Sequence, residues 1–415
     1  MHPAETIGTG AAPITSAERI GLLDVLRGFA LLGVLVANFT WFAFAQNVST
    51  EAQTEGFLRD PANVAVITFV EVFVNDKANT LFAVLFGIGF WVQMERLEAR
   101  GVPFRAIYLR RLFILLVFGL VNLLLIWPWD ILNLYAMAGV ALFALRRLPA
   151  RAMLALGALL ALAGRPLVSA ASDALGLAGP AHDMVFSEAA VLARQDAYIN
   201  GTYLDWMAAT ARLDFYDWIA NGLVLAWFLY ALGRFLVGAY VARRGWIQDA
   251  ASLLPQVRRI FRIALPFGLV LEALAFAMGN SKLVPVPEWL HEAIHMIGVP
   301  VLDLGYAAGL ILLFHSARMR WLALAFAPVG RMALTNYLAQ GVFIGLILYG
   351  FHGGLGLAGT IEPRQVLPLC LGFYALQAVF SHYWLRRYAF GPLEWLWRSL
   401  TYGERPTLRA RAIIA

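Results

Sequence analysis

Polar side chains inside long apolar segments are the residues of this chain best suited to chemistry. Asp24 and Arg27 lie three positions apart near the start of the first apolar segment, so on a helix they share a face and can form an ion pair. The adjacent Gly28 would let another helix or a ligand come close. The pair is either part of a binding site or a structural anchor at the membrane surface. Asn38, about three turns further along, can bind another helix or point into a cavity.

Two more candidates stand close to the ends of apolar segments. Lys77 is one of two lysines in a chain that otherwise uses arginine, which favours a point-charge role, and the alternative is a salt bridge in a loop. Asp130 can cap the helix that follows it through its side-chain oxygen. If its carboxylate turns into the helix bundle instead, it is available as a general base, with Asn122 as a neighbour.

A polar stripe begins at Arg331 and continues into the next apolar segment. Arg331 and Thr335 are four positions apart, and so are Asn336 and Gln340, so each pair lies along one side of a helix. This is more polarity than a helix end requires, and we expect the stripe to face a vestibule open to the cytoplasm. Two residues near helix ends are expected to face the same vestibule, namely Arg234 and His315.

The sequence contains no P-loop, dinucleotide-binding, zinc-protease or serine-hydrolase motif. His291 and His295, in a predicted outer loop with Glu288 and Glu292 nearby, can bind zinc or form a solvated helix face. The helix face is favoured because this spacing is common. The single cysteine, Cys370, excludes an intrachain disulfide and a cysteine-based metal site. We therefore expect no metal.

The composition defines the broad class. The 415 residues are 61% hydrophobic and only 14% charged, with a mean hydropathy of +0.70, which excludes an ordinary soluble globule. We predict an all-α, polytopic transmembrane bundle of about ten helices. Residues 62–75, interrupted by Glu71, are expected to form a re-entrant or surface helix. The predicted spans lie near 21–43, 79–95, 112–128, 131–145, 152–172, 218–241, 264–279, 297–315, 332–350 and 366–385.

The positions of the arginines set the orientation. Most of them fall in alternate loops, so by the positive-inside rule these loops and both termini are cytoplasmic. Three parts follow: an N-terminal transmembrane half at 1–172, an acidic extracytoplasmic insertion at 173–217 that caps the outer face, and a C-terminal half at 218–415. The last part ends in an amphipathic helix on the inner leaflet near 391–398. There is no internal repeat and no inverted pair of broken helices, which weakens the case for a secondary transporter.

Five motifs spread over the chain carry a family resemblance. They are L-L-D-V-L-R-G-F-A-L-L-G-V-L-V-A-N at 22–38, L-F-x-x-L-F-G-I-G-F at 81–90, W-D-I-L-x-L-Y-A at 129–136, P-V-G-R-M-A-L-T-N-Y at 328–337 and G-P-L-E-W-L-W-R at 391–398. Together they resemble the YeiB-like bacterial inner-membrane family, domain of unknown function 418, over nearly the whole chain. The first half is also similar to the transmembrane acyltransferase superfamily, which includes heparan-alpha-glucosaminide N-acetyltransferase.

This resemblance implies an acyltransferase-like protein. The donor would be acetyl-CoA or another acyl-CoA from the cytoplasm, and the acceptor a small molecule, lipid or glycan on the outer side. Asn38 and Asp130 would be catalytic, and Arg27, Arg331 and Arg111 would bind the donor phosphates, which planar guanidinium groups suit. The full set of substrate-binding candidates is Asp24, Arg27, Gly28, Lys77, Asn122, Arg331, Thr335, Asn336 and Gln340.

The histidines of the chain depart from these relatives. No histidine lies between Asn38 and Lys77, where the lysosomal enzyme has its catalytic one, and Asn122 stands where the YeiB-like family often has another. The alternatives are therefore a transporter or lipid-handling protein without covalent chemistry, and a structural membrane partner. We expect a multi-pass protein of the bacterial inner membrane that contacts membrane lipids, has no nucleic acid partner and is compatible with a homodimer.

Overall fold

The computed structural model describes residues 21–44, 48–176, 178–220, 222–247, 249–279 and 287–409, and these are almost entirely helical. The all-α prediction is confirmed. The helices are α1 (Gly21–Phe44), α2 (Glu51–Phe57), α3 (Pro61–Phe73), α4 (Lys77–Ala99), α5 (Phe104–Leu125), α6 (Ile131–Leu145), α7 (Ala150–Ala174), α8 (Ala178–Phe186), α9 (Glu188–Ile199), α10 (Tyr203–Leu213), α11 (Leu223–Arg243), α12 (Leu254–Gly279), α13 (Glu288–Phe314), α14 (Arg320–Arg331), α15 (Ala333–Leu348), α16 (Pro363–Arg387) and α17 (Pro392–Tyr402). A π-helix at Asp214–Ala220 and a 3₁₀ turn at Phe351–Gly353 complete the set.

Eight helical segments in the described part of the chain are long and apolar enough to cross a bilayer, and a ninth is added if α14 and α15 count as one broken span. Each of the ten predicted spans coincides with a helix, but α6 has only 15 residues, about 22 Å, which is shorter than a typical hydrocarbon core. The eight segments are Gly21–Phe44, Pro61–Ala99, Phe104–Leu125, Ala150–Ser172, Leu223–Arg243, Leu254–Gly279, Trp289–Phe314 and Pro363–Arg387.

The segment predicted as re-entrant forms α3. Asp60 caps its first turn by accepting a hydrogen bond from the Ala62 amide at 2.9 Å, and Pro61 occupies the first position, where a missing N–H costs nothing. The helix ends in a turn at Asp76, whose φ of 60° is left-handed, and α4 follows directly. Since residues 61–99 together form one of the eight candidate segments, a non-spanning α3 remains a prediction.

Helix α1 lies at the centre of the bundle and packs against α4, α14, α15 and α16. Its crossing with α14 depends on two glycines. A Cβ atom at Gly28 would overlap the carbonyl of Phe326, and one at Gly330 would overlap the carbonyl of Asp24. Small residues allow membrane helices to pack with their backbones in contact. Gly28 was expected to permit the close approach of a helix or a ligand, and the element that approaches it is helix α14.

Helices α14 and α15 meet at a bend of 81° at Met332. The sequence predicts only α15, because α14 carries Arg320 and Arg331 and resembles a basic loop. The bend leaves the first amides of α15 without partners inside the helix. Glu394 of α17 accepts hydrogen bonds from the amides of Leu334 and Thr335 at 2.7 and 3.0 Å.

The acidic insertion folds into α8, α9, α10 and the π-helix. It packs on the ends of the bundle helices, where Tyr203 donates a hydrogen bond to the carbonyl of Leu125 at 2.8 Å and the amide of Gly350 donates to the carbonyl of Tyr198 at 2.8 Å. Trp206 of α10 is buried against the rings of Tyr349 and Phe351. The insertion is therefore a helical layer over the predicted outer face.

We expect Gly28→Ala to lower the stability of the protein by about 1–3 kcal/mol, because the added methyl group has to displace the backbone of α14. Thermal unfolding of the purified chain in detergent measures this. Gly372→Ala is the matched control, since no atom lies within 4 Å of a Cβ at that helical position. Equal melting temperatures for the two variants would contradict the close crossing.

Burial raises the pKa of Asp214, in the insertion, to about 7, although the Trp129 amide donates to its carboxylate at 3.2 Å. A carboxyl whose folded pKa is raised stabilises the fold below its unfolded pKa of about 4, and this stability is lost as the pH rises towards 7. We therefore expect the melting temperature of the wild type to fall between pH 4 and pH 7, and that of Asp214→Asn to fall less over the same range.

Asp205→Asn provides the contrast for this measurement. Hydrogen bonds from Thr202 lower the pKa of the exposed Asp205 carboxylate, so its contribution is present at neutral pH and is lost on acidification. A pH profile of Asp214→Asn that superimposes on the wild-type profile would rule out the assignment to Asp214.

Candidate functional site

A cavity opens beside α1. It has a volume of about 250 Å³, and α1, α4, α5, α6, α15 and α17 supply most of its walls. We call it the central cavity. The helices that form it come from both halves of the chain, so the site exists only when the bundle is assembled.

The mouth of the central cavity is rich in arginine. Helix α1 brings its arginine from its first turns, α4 and α14 bring theirs from their last turns, and α5 and the surface helix α17 supply the rest. All of these helix ends lie on the predicted cytoplasmic side. These arginines, which we call the arginine rim, are Arg27, Arg96, Arg111, Arg331 and Arg398. Two carboxylates line the cavity with them, Asp24 and Glu394.

Several contacts hold the arginines of the mouth in place. Arg27 pairs with Asp24 at 3.3 Å, as the i, i+3 spacing predicts. Arg111 donates a hydrogen bond to Gln93 at 2.9 Å, and its guanidinium lies 4.2 Å from the centre of a Trp397 ring. The Trp397 indole in turn donates to the Arg111 carbonyl at 3.1 Å. Helix α17 is thereby fixed against α5 at the rim.

Behind the mouth the wall becomes apolar. Leu31 and Val34 continue the face of α1 that begins with Arg27, and Phe82 and Leu85 do the same on α4. The lining residues of α4 run from Asn79 to Arg96, about 25 Å at 1.5 Å per residue. The cavity is therefore amphipathic along its length, with a cationic end and a long apolar end.

Four of the residues expected to bind a donor line the central cavity together: Asp24, Arg27, Arg111 and Arg331. Gly28 does not line it, because it faces α14. Asn38 lies on the same helical face as Arg27 but one turn beyond Val34, the last α1 residue of the lining. The Asn38 side chain is half-buried and makes no hydrogen bond to another described residue.

Asp130 is completely buried and lies outside the lining. One carboxylate oxygen accepts from Asn122 at 2.7 Å and from Tyr337 at 3.1 Å, and the other accepts from the amides of Leu132 and Asn133 at 2.9 and 3.3 Å. The two backbone amides fit the capping interpretation, and the side chains of Asn122 and Tyr337 supply the other two donors. The Asn122 side chain is the expected neighbour of Asp130 and is also absent from the lining.

The remainder of the polar stripe on α15 joins helices. Asn336 donates to Ser381 at 3.0 Å, and Gln340 donates to Gln377 at 3.1 Å. Thr335 donates to Glu394 at 2.6 Å. Of the residues in the stripe, only Arg331 lines the central cavity. The stripe was expected to face a vestibule along its whole length, but only its first residue does so.

Lys77 belongs to a separate group at the other end of α4, where its ammonium lies 2.6 Å from a Glu272 oxygen. Arg234 and His315 were expected in the vestibule, and neither lines the central cavity. Arg234 donates to Thr80 in the first turn of α4 at 2.8 Å, and His315 contacts the carbonyl of Ile311 at 2.9 Å.

The histidine pair was wrongly placed in a loop. Helix α13 begins at Glu288, about two turns before the predicted span, so His291 and His295 lie inside it. His295 contacts Glu272 at 3.1 Å and Asp76 at 3.2 Å. Within the described residues, no group of three or more His, Cys, Asp or Glu side chains is arranged to hold a metal ion.

Three residues at the mouth of the cavity were not predicted from the sequence: Arg96, Arg398 and Trp397. Both arginines look like ordinary loop or surface charges in a sequence where most loops are basic. A usable signal exists on α4, since Gln93 and Arg96 continue the helical face of Phe82, Phe86 and Gly89, all of which line the cavity.

Fold and site together define a polytopic helical membrane protein with an amphipathic cavity whose mouth is ringed by arginines. The family described as "Protein of unknown function (DUF418)" matches residues 241–404. Over its length the chain is 32% identical to "Uncharacterized protein YxaH" of Bacillus subtilis (strain 168), with 94% of this chain and 96% of that protein covered. It is 29% identical to "Uncharacterized protein YeiB" of Escherichia coli (strain K12), with 92% and 96% covered. The chain belongs to the YeiB-like DUF418 family.

We expect Asp130→Ala to cost roughly 2–4 kcal/mol of stability, because it removes a helix cap and leaves the Asn122 amide buried without its acceptor. Asn38→Ala should cost less than about 1 kcal/mol, since no described group bonds to it. Unfolding of both variants by titration with a denaturing detergent measures the difference. Equal stability of the two variants would contradict a structural role for Asp130.

Proposed function

We propose that this protein binds, in the central cavity, an amphiphile with a phosphorylated headgroup and a long acyl chain. The ligand enters from the cytoplasmic side of a bacterial inner membrane. The observation that carries the proposal is the position of five arginines around one end of a cavity whose interior is mostly apolar. Such a ligand as a whole would fit neither a uniformly polar site nor a uniformly apolar one.

The arginine rim suits phosphate for two reasons. Guanidinium groups bind phosphate oxygens with paired hydrogen bonds, and they keep their charge in a poorly hydrated site. Arg111 is held by Gln93 and Trp397, so little side-chain freedom is lost when it binds. Asp24 and Glu394 reduce the net positive charge of the rim but do not cancel it.

The apolar interior supports a long acyl chain over a short one. Each methylene group that leaves water contributes about 0.8 kcal/mol, and the lining of α4 offers about 25 Å of depth. An acetyl group would use only the mouth. Long-chain acyl-CoA and anionic phospholipid share the required chemistry, so the acyl-CoA donor suggested by the family resemblance fits best in a long-chain form.

Acyl transfer from a bound acyl-CoA to an outer acceptor is the finer function that the resemblance implies. Asn38 and Asp130, its predicted catalytic residues, both lie outside the lining, and four donors already bond to Asp130. We therefore propose binding and handling of the amphiphile as the function of the cavity. Release of free CoA thiol from palmitoyl-CoA by the purified chain would extend the proposal to transfer.

The test is direct binding to the full chain in nanodiscs of neutral lipid, with palmitoyl-CoA, acetyl-CoA and phosphatidic acid as separate probes. We expect palmitoyl-CoA or phosphatidic acid to bind far more tightly than acetyl-CoA. Arg111→Gln should weaken this binding roughly tenfold or more, the value of one charged hydrogen bond. Val34→Phe should weaken palmitoyl-CoA binding but not binding of CoA itself, since the added ring fills only the apolar interior.

Arg387→Gln is the matched control for charge, because Arg387 is exposed at the end of α16 and does not line the cavity. Its affinity for each probe should equal that of the wild type. The proposal is rejected if neither long-chain probe binds, or if Arg387→Gln weakens binding as much as Arg111→Gln does.

A further inference from the structure

A second group of charged side chains is buried at the opposite end of α4 from the arginine rim. Lys77, 1% exposed, pairs with Glu272, 2% exposed, at 2.6 Å. His295 lies between Glu272 and Asp76 and contacts each with one ring nitrogen, at 3.1 and 3.2 Å. Arg165 pairs with Asp76 at 2.9 Å. We call this group, together with the neighbours named below, the outer charge cluster.

Six helices contribute to the cluster, namely α3, α4, α7, α11, α12 and α13, and three of its side chains lie at a similar depth. His295 lies about 10 Å from the start of α13, Glu272 about 10 Å from the end of α12, and Arg165 about 13 Å from the end of α7, at 1.5 Å per residue. These helix ends are on the predicted outer side. Charged groups at such a depth are costly in a membrane protein and are typical of ion paths and proton relays.

The deepest member of the cluster is Asp303, on α13. It is 5% exposed, and neither of its carboxylate oxygens has a hydrogen-bond donor among the described residues. It lies close enough to Arg234 and Lys77 for their charges to interact. One Arg234 nitrogen and one Glu272 oxygen are likewise buried without a partner in the described part of the chain.

The charges of the cluster do not balance. Four carboxylates face three permanent cations, so the cluster carries one net negative charge when His295 is neutral. The carboxylates are Glu71, Asp76, Glu272 and Asp303, and the cations are Lys77, Arg165 and Arg234. The other ionisable groups packed near them are Tyr230, His291, Glu292 and Tyr306. An uncompensated charge in a medium of low dielectric constant is expensive, and one added proton removes it.

We propose that the outer charge cluster binds one exchangeable proton, taken up from the outer face, which moves between His295 and Asp303. The side chains of His295 and Arg165 are 22% and 28% exposed and form the accessible end of the cluster, whereas Asp303 is buried. Glu272 bonds to His295 and pairs with Lys77, whose charge also interacts with that of Asp303. The proton comes from water and returns to water, and only N–H and O–H bonds form and break.

This proton site is a second function, distinct from the amphiphile site, although the two meet at α4. Thr80 and Lys77 face the cluster, while Asn79 on the other side of the same helical turn lines the deep end of the central cavity. A change of charge in the outer charge cluster therefore acts close to Asn79, which lines the central cavity.

The test is infrared difference spectroscopy of the full chain in nanodiscs, which reports protonated carboxyl groups by their C=O stretch. In His295→Gln the proton has to reside on a carboxyl group, so we expect a gain of protonated carboxyl signal over the wild type. Adding Asp303→Asn balances the charges at three against three, and the gain should disappear. His315→Gln, which removes a histidine outside the cluster, should show no gain.

A second measurement uses Asp303→Asn alone, which breaks no hydrogen bond to a described residue. We expect the imidazolium signal of His295 in ¹⁵N-histidine NMR to be lost in this variant, because the cluster no longer needs a proton. The proposal is overturned if His295→Gln produces no gain of carboxyl signal, if Asp303→Asn leaves that gain in place, or if the NMR signal of His295 is the same in both proteins. None of these results depends on whether palmitoyl-CoA binds.

Discussion

The contact between α1 and α14 at Gly28 and Gly330 is the constraint on which the site depends. Backbone touches backbone there, and Tyr374 of α16 adds a hydrogen bond to the Gly28 carbonyl at 2.7 Å. The crossing brings Arg27 and Arg331 to one mouth although the sequence separates them widely. It also directs α14 so that the chain has to turn sharply at Met332 before α15 can run along the bundle. Larger side chains at the two glycines would separate the helices and open the cavity on one side.

Buried polar side chains in this protein fall into two kinds. One kind is hydrogen-bonded between helices, as in the four hydrogen bonds to Asp130 and the bonds from Asn336 and Gln340 to α16. These residues hold helices together. The other kind either lines a cavity, as the arginine rim does, or has no hydrogen-bond donor among the described residues, as at Asp303. The distinction matters because the low dielectric constant of a membrane makes each unsatisfied group expensive and therefore informative.

Sequence reasoning was most reliable where periodicity alone decides the outcome. Apolar length predicted ten helices that all exist, and the i, i+3 spacing predicted the pair of Asp24 and Arg27. It was less reliable where tertiary packing selects among equivalent candidates. Asn38 continues the face of Arg27, but the cavity ends one turn before it, and nothing local marks that end. The outer charge cluster was missed because its members come from six helices, and because α13 begins earlier than its apolar run indicates.

The anchoring of α15 by Glu394 has a consequence for biosynthesis. Residues near 334 leave the ribosome some sixty positions before their capping carboxylate, so α15 enters the bilayer with its first amides unpaired. Only when the C-terminal segment emerges can α17 supply that carboxylate and place Trp397 against α5. The mouth of the cavity is thus completed only after α17 has left the ribosome, and a nascent chain that has not yet reached α17 has no finished entrance.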